Sequence, residues 1–458
     1  METQAELERR LKAINERSAQ YMLPREMRTP ADEAVYKPLD LLNVPMDEAQ
    51  ALQFNAIKYA FTRQYTLNDW YHKFCDKRGF ISDDLKTTDD LKKIPLIPDL
   101  TFKQHPSGRD FASWIETTFT GDLPRVTINT PDPSFDDILE AYNAADLVIA
   151  HSTGTSGHHS VIPRDRRTFN TFCYATRKGG IGYFDALSID HSLSLFPRPA
   201  KTNLWAGRSS QALEGLDNDL SFAIDTQITA ALSARAMTGA EQQESAKQAA
   251  QQQVRKIFTT TIGWLERYHK TTDIIHLSAP PALFSVFMDA LDRMGKRYEL
   301  GERGSLLTGG GWKTLGNQRI SAEYFRKRVE EVFGIPETRC SDIYGMVEMN
   351  AMLSTCSEGH YFHIPYTWLK PFVLDHTLTP VGYGEWGRFA FLDALAHSYP
   401  GFVMTGDQVR LFEHCPVCDR AGPVLDRVIK RMPSEDMRGC AEEVRRVFNK
   451  DLLGAGAG

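Results

Sequence analysis

The sequence predicts an α/β protein whose mixed sheets are flanked by helices, with a β-rich portion toward the C-terminal end. From about Ala145, short apolar runs alternate with Gly-rich turns and helical stretches, as in DLVIAHSTGTSG, SLSLFPRPA, DIIHLSAPPALFSVFMDALDRM, GSLLTGGGWK and CSDIYGMVEMN. Strands alternating with helices are the signature of a sheet covered by helices. After Pro380, VGYGEWGRFAFLDALAHSYPGFVMTGDQVRLF reads instead as β-hairpins with Gly turns. The 458 residues, 42% hydrophobic and 24% charged, are enough for a large core and exclude disordered or fibrous classes.

Three regions follow along the chain. Residues 1–125 form a mainly helical N-terminal region: an amphipathic opening, a run from Asp47 to Phe80 with apolar residues at helical spacing, then the turn-rich KKIPLIPDLTFKQHP. Residues 126–431 form the core. Within them, the Ala/Gln/Glu-rich stretch ending in KIFTTTIGWLERY predicts a long surface helix with Ile257, Phe258, Ile262 and Leu265 on its apolar face. Residues 432–458 hold a short C-terminal helix and a Gly/Ala tail.

Charge and hydropathy narrow the function. With Lys+Arg 53 against Asp+Glu 59 the net charge is -6, and no segment is basic enough to neutralise a phosphate backbone, so no nucleic-acid partner is expected. The charged opening METQAELERRLKAINERS lacks a signal-peptide core, and no stretch approaches the roughly 20 apolar residues of a membrane span. A cytoplasmic location is the expectation. Seven scattered cysteines suit reduced thiols or metal ligands better than disulfides.

Chemistry concentrates in a few Gly-rich segments. Ser152-Thr153-Gly154-Thr155-Ser156-Gly157 follows the apolar run Leu147 to Ala150 and offers hydroxyls and approachable backbone N–H groups to polyphosphate oxygens. It lacks the spacing of a Walker loop, and Gly309-Gly310-Gly311 lacks the full dinucleotide fingerprint. Taken singly, each could be an ordinary turn. Their order carries the information: loop 152–157, TGGGWK at 308–313, Tyr344-Gly345-Met346-Val347-Glu348, Gly384-Glu385-Trp386-Gly387 and Met404-Thr405-Gly406-Asp407.

That series resembles the acyl-adenylating superfamily over roughly residues 60 to 431. Within it, the chain is most similar to the branch joining phenylacetate-CoA ligases to the acyl-protein synthetases of bacterial fatty-acid reductase complexes, with the synthetases the closer type. The segments that carry this likeness are DDLKKIP with Phe102-Lys103, GGWK, YGMVEMN, Cys356 with His360 and His363-Ile364-Pro365, and SYPGFVMTGD. The resemblance implies a large adenylating-enzyme N-terminal domain with the mobile C-terminal domain truncated, since 31 residues follow Arg427. It implies ATP and Mg2+ as cofactors. Ser152 to Gly157 would hold the phosphates, Gly309 to Gly311 would line the adenine and Tyr344, followed by Gly345, would stack on it. Glu348 would help hold Mg2+, Asp407 would grip the ribose, Arg427 would contact nucleotide, and Lys430 would be either catalytic or plain surface charge. Val347 stands where many relatives have Thr or Ser, and His158-His159 where they have a Lys-containing loop end; this leaves charge neutralisation to His, Arg164 or metal.

Two thiol questions remain open from sequence. Cys415-Pro416-Val417-Cys418, with Cys356 and His363 or His360, could complete a structural Zn2+ site, but could equally be a redox pair or ordinary thiols. The resemblance makes Cys440, in an Arg-flanked setting, the positional candidate for an acyl acceptor, with an incidental helix cysteine as the alternative. The function expected is ATP-dependent activation of a carboxylic acid, of fatty-acid type, with transfer to a protein thiol and an acyl reductase subunit as partner. Two alternatives stand beside it: a ligase using coenzyme A, and a nucleotide- or acyl-binding scaffold.

Overall fold

The computed structural model describes residues 3–153, 159–180, 186–229, 244–312 and 320–432. The chain opens with α1 (Gln4–Arg17), α2 (Pro30–Tyr36), α3 (Met46–Leu67) and α4 (Asp69–Lys77). The helical run from Asp47 breaks at Asn68, whose side chain accepts a hydrogen bond from Tyr71 N at 2.8 Å and so caps α4. Two buried glutamines anchor α3 through backbone carbonyls: Gln53 donates to Tyr366 O at 2.6 Å and Gln64 to Ala396 O at 2.8 Å. Aromatic packing completes that joint, with Phe61 and Tyr71 both against Phe402.

β1 (Ile97–Pro98) then joins a seven-stranded sheet as a parallel neighbour of β13 (Phe402–Phe412). The rest of that sheet is antiparallel: β10 (Phe362–His363), β14 (Val424–Leu425), β13, β12 (Trp386–Asp393) and β11 (Leu369–Leu374) in spatial order, with β15 (Lys430–Arg431) also on β13. The hairpins predicted after Pro380 are this meander. α5 (Asp110–Thr118) and α6 (Phe135–Ala144) bury Phe111, Trp114, Ile138 and Leu139 with Ile149 and Val161 of the small hairpin β2 (Val148–His151) and β3 (Val161–Arg164).

The third layer is a six-stranded sheet in the order β5 (Leu220–Ile224), β4 (His191–Pro197), β6 (Ile275–Ala279), β7 (Gly304–Gly309), β8 (Cys340–Tyr344) and β9 (Leu353–Ser354). The first five run parallel and β9 is antiparallel. Parallel strands are buried on both faces, hence their continuous apolar runs. Helices Glu244–Tyr268, Pro281–Arg293 and Ala322–Phe333 contribute Leu265, Phe284, Phe287, Val329 and Phe333 to the core around Leu277 and Leu306. The predicted long helix is therefore not merely superficial: Ile257, Trp264 and Leu265 are buried. No helix of the described residues is long and apolar enough to cross a membrane.

Candidate functional site

The expected nucleotide-binding segments sit at strand ends. β7 ends in Gly309, where a Cβ would come within 2.5 Å of Ile343 Cγ1 on β8, so only glycine lets these strands close. Gly310 and Gly311 continue with φ of +82° and +67°, the left-handed turn that glycine adopts without strain. β8 ends in Tyr344, whose hydroxyl donates to Asp407 Oδ2 at 2.7 Å, across from the second sheet. Thr405 fixes the strand there, donating to Phe389 O at 2.9 Å and accepting from Asp407 N at 3.1 Å.

The other oxygen of Asp407 is held by Arg431, at 2.9 Å. β15 places Arg431 directly opposite Asp407, a pairing invisible in sequence because 24 positions separate the two. Arg427, the guanidinium expected near nucleotide, lies instead over the Tyr361 ring at 5.3 Å. Lys430 is exposed, its ammonium 4.0 Å from the centre of the Trp386 ring.

Glu348 is buried, and Ser160 Oγ donates to its carboxylate. Burial pushes its pKa up, and Lys103 works in the opposite direction. That lysine forms a largely buried ion pair with Asp99 at 2.6 Å, reached because β1 runs alongside β13. Asp99, Lys103, Glu348, Asp407 and Arg431 thus form a cluster of alternating charge around Tyr344. Arg431 is more than half exposed, and the neighbouring Asp407, Tyr344, Asp99 and Glu348 hold its pKa up.

The ends of the 152–157 loop are tied together: Ser152 N donates to Ser160 O and Ser160 N to Ser152 Oγ, both at 2.9 Å. Behind them, the Nδ1 atoms of His151 and His159 lie 2.9 and 2.7 Å from Ser152 O, and His105 Nε2 lies 3.1 Å from His159 O. Gly154, Thr155, Ser156 and Gly157 lie outside the described residues, as does Cys440. Arg164 is wholly buried and donates to Val347 O and Asn350, so its charge serves the protein interior rather than a bound phosphate.

A second site lies just beyond β13. The ligand atoms of Cys356, His363, Cys415 and Cys418 all fall within 4.8 Å of one another, with Cys356 Sγ 3.9 Å from Cys415 Sγ and Cys418 Sγ 3.3 Å from His363 Nε2. A tetrahedron with bonds of roughly 2.1–2.3 Å has edges of about 3.4–3.8 Å, so three thiols and one imidazole at these spacings suit Zn2+. His360, the alternative ligand, pairs with Glu337 at 3.3 Å.

Comparison with known proteins follows these boxes. The family model "Acyl-protein synthetase, LuxE" matches residues 255–449. The long-chain-fatty-acid–luciferin-component ligase of Vibrio harveyi is 25% identical over 406 residues, covering 88% of this chain and 90% of the relative. Its counterpart in Aliivibrio fischeri is 23% identical over 416 residues, covering 89% and 91%. Over most of its length the chain is thus similar to acyl-protein synthetases. Solved structures agree on the fold: 2-hydroxyisobutyryl-CoA ligase, in an open conformation with 2-HIB-AMP and CoA, superposes with TM-score 0.57 at 13% identity, covering 86% of this chain and 71% of that one. The same ligase in its thioesterification state gives 0.56 at 13% identity, with 86% and 70% covered. Sequence motifs pointed to Tyr344, Glu348 and Asp407, which the structure brings close together. They missed Ser160, Arg431 and the Asp99–Lys103 pair as site members, because only strand pairing and burial bring those groups in.

Proposed function

We propose that the chain activates a fatty-type carboxylic acid with ATP to an acyl-adenylate and passes the acyl group to a thiol. The observation that carries this is the convergence of Tyr344, Glu348, Asp407 and Arg431 between the two sheets, beside Lys103. In the first step a carboxylate oxygen attacks the α-phosphorus and pyrophosphate leaves. In the second, a thiolate attacks the acyl carbonyl and AMP leaves. Both steps gather negative charge, which fixed cations stabilise more strongly in a water-poor site than in solution. On this reading Asp407 and Arg431 would take the ribose, Tyr344 and Gly309–Gly311 the base, and Arg431 and Lys103 the phosphates. Glu348, a buried carboxylate, would hold Mg2+, which would supply charge neutralisation.

A cavity of about 730 Å³ lies beside β7 and β8 and reaches Ala351 and Met352, beyond Glu348. Leu42, Leu306, Leu307, Ile343 and Trp368 give it an apolar side that would take an acyl chain, while Arg10, His276, Arg339, Glu358 and Arg420 make the rest of its lining polar. As acceptor we favour Cys440. Burial pushes the thiols of Cys75, Cys173 and Cys340 up to about 12, and Cys356, Cys415 and Cys418 are turned toward one another, so no described cysteine presents a free nucleophile. A reductase-type subunit is the consumer that a protein-bound thioester suits. The Cys/His knot is proposed as a structural Zn2+ site, with one zinc per chain expected by elemental analysis.

Acid-dependent ATP–pyrophosphate exchange over a panel of chain lengths tests activation; absence of exchange with every acid would leave only a binding scaffold. Mass spectrometry after incubation with ATP and acid tests transfer. A hydroxylamine-labile acyl adduct is expected on Cys440 and absent from Cys440→Ala; acyl-CoA formation without that adduct would instead identify coenzyme A as acceptor.

A further inference from the structure

Beneath Glu348 lies a buried polar network that the reaction scheme does not use. Arg164, the last residue of β3, donates through Nη2 to Val347 O and through Nε to Asn350 Oδ1 at 2.7 Å. Its guanidinium lies 4.1 Å from the centre of the Trp205 ring. Asn350 N donates to Asp393 Oδ2 at 2.6 Å, and Asn350 Nδ2 to Asp393 Oδ2 and Tyr399 OH at 3.0 and 2.8 Å. Tyr399 OH in turn donates to Glu348 O at 3.0 Å. All four side chains are fully buried.

The main chain on both sides of Glu348 is therefore gripped by side chains from elsewhere: Val347 O by Arg164, Glu348 O by Tyr399 and Asn350 N by Asp393. Those side chains come from β3, which follows the 152–157 loop, and from the 393–399 segment, which precedes the strand bearing Asp407. The two donor segments are themselves joined, since Ser398 Oγ donates to Pro163 O at 3.2 Å and accepts from Asp165 N at 3.0 Å. β3 also reaches Glu348 from its other end, because Ser160 immediately precedes it.

A guanidinium and a carboxylate removed from water are costly unless hydrogen-bonded, and Arg164 is already bonded only through Nε and Nη2, with Nη1 buried and unpartnered, so moving the turn would cost bonds the network cannot spare. Arg164 and Asp393 do not meet directly; Asn350 bridges them. Shifting Glu348 would leave one or both charges unsatisfied.

We propose that Arg164, Asp393 and Tyr399 are positioning residues that lock the Glu348 turn in register with β3 and the Asp407 strand. This rests on the adenylation reading above, with Glu348 as the metal-holding carboxylate.

The test uses the full-length chain carrying Tyr399→Phe, which removes one hydroxyl and keeps the ring, beside Arg164→Lys. Tyr174→Phe is the control: it removes another buried hydroxyl, one that donates to Asn15 at 2.9 Å far from Glu348 in the chain. Pyrophosphate exchange is measured against Mg2+ concentration, together with thermal melting. For Tyr399→Phe the expected result is a fall in maximal exchange on the order of 10- to 100-fold, as small misplacements of reacting groups produce. The Mg2+ needed for half-maximal rate should rise several-fold while the KM for the acid holds within about twofold. Tyr174→Phe should shift melting alone. Wild-type exchange and Mg2+ dependence in a folded Tyr399→Phe would overturn the proposal, even if Arg164→Lys fails to fold. A wild-type chain without exchange would overturn the adenylation reading first, and this inference with it.

Discussion

The Cys/His knot and the nucleotide cleft lie along the same strand yet handle concentrated polarity in opposite ways. In the knot, Cys356, His363, Cys415 and Cys418 bring four ligand atoms within 4.8 Å of one another, their contacts being mainly with each other and with nearby backbone N–H groups. In the cleft, Arg431 and Tyr344 occupy the two oxygens of Asp407, and Lys103 is paired with Asp99. One region is a set of donors that an ion would complete, as proposed above; the other is a set of charges that satisfy each other and that a nucleotide would have to exchange with. The first arrangement suits permanent structure, the second repeated turnover.

The largest expected effect breaks the knot. Ligation in small structural zinc sites is worth on the order of 10 kcal/mol, comparable with the whole stability of a domain. Cys415→Ser, or chelation of the native chain, should therefore lower melting by about 10 °C or more and abolish stoichiometric zinc, read by calorimetry and elemental analysis. An unchanged melting curve in a zinc-free protein would erase the contrast.

Next in size is Glu348→Gln. Pyrophosphate exchange should fall roughly 100- to 1,000-fold, the scale of losing one preorganised electrostatic group. Melting should hold or rise, because the buried carboxylate that burial penalises is gone. Asp407→Asn comes third. It unpairs Arg431 and weakens the Tyr344 contact, so the KM for ATP should rise roughly 10-fold, in line with a charged hydrogen bond of about 1.5–3 kcal/mol. Arg431→Met should shift KM the same way, and a normal KM in both variants would remove this ion pair from the nucleotide site.

The smallest effect is on pH dependence. Burial holds His151 at about 4 and His276 at about 3. In the unfolded chain both take up protons below about 6.5 while the folded protein does not, so stability is full above that pH and falls as the solution is acidified. Asp393, raised to about 6 by burial, and Glu348, also raised by burial, work the other way as the pH falls and offset part of the histidine contribution. His276→Gln should flatten the drop in melting temperature between pH 7 and 5 by roughly 2 °C; an unaltered slope would show that His276 does not stay neutral.

These contrasts explain what the sequence could show. The boxes around Gly309, Tyr344, Glu348 and Asp407 are short local patterns, and the Cys-x-x-Cys pair is one too, but the choice of His363 over His360 came only from the fold. The fold class was legible from strand and helix periodicity. Partners supplied by strand register were not: Arg431 meets Asp407 only because β15 folds back on β13, and the nearer-looking Arg427 goes to Tyr361. Nor does sequence reveal that Arg164, a plausible phosphate cation by position, is turned into the interior by Asn350 and Val347.

Trp386 stands at the edge where β15 joins the sheet, its ring faced by Arg410 at 5.0 Å and by Lys430 at 4.0 Å. Arg410 belongs to the long strand β13, whereas Lys430 travels with Arg431. The indole is thereby coupled to the pair: a ligand that drew Arg431 from Asp407 would also move a positive charge relative to this ring, and a chain keeping Trp386 alone of its seven tryptophans would carry that movement in its emission, without an attached dye.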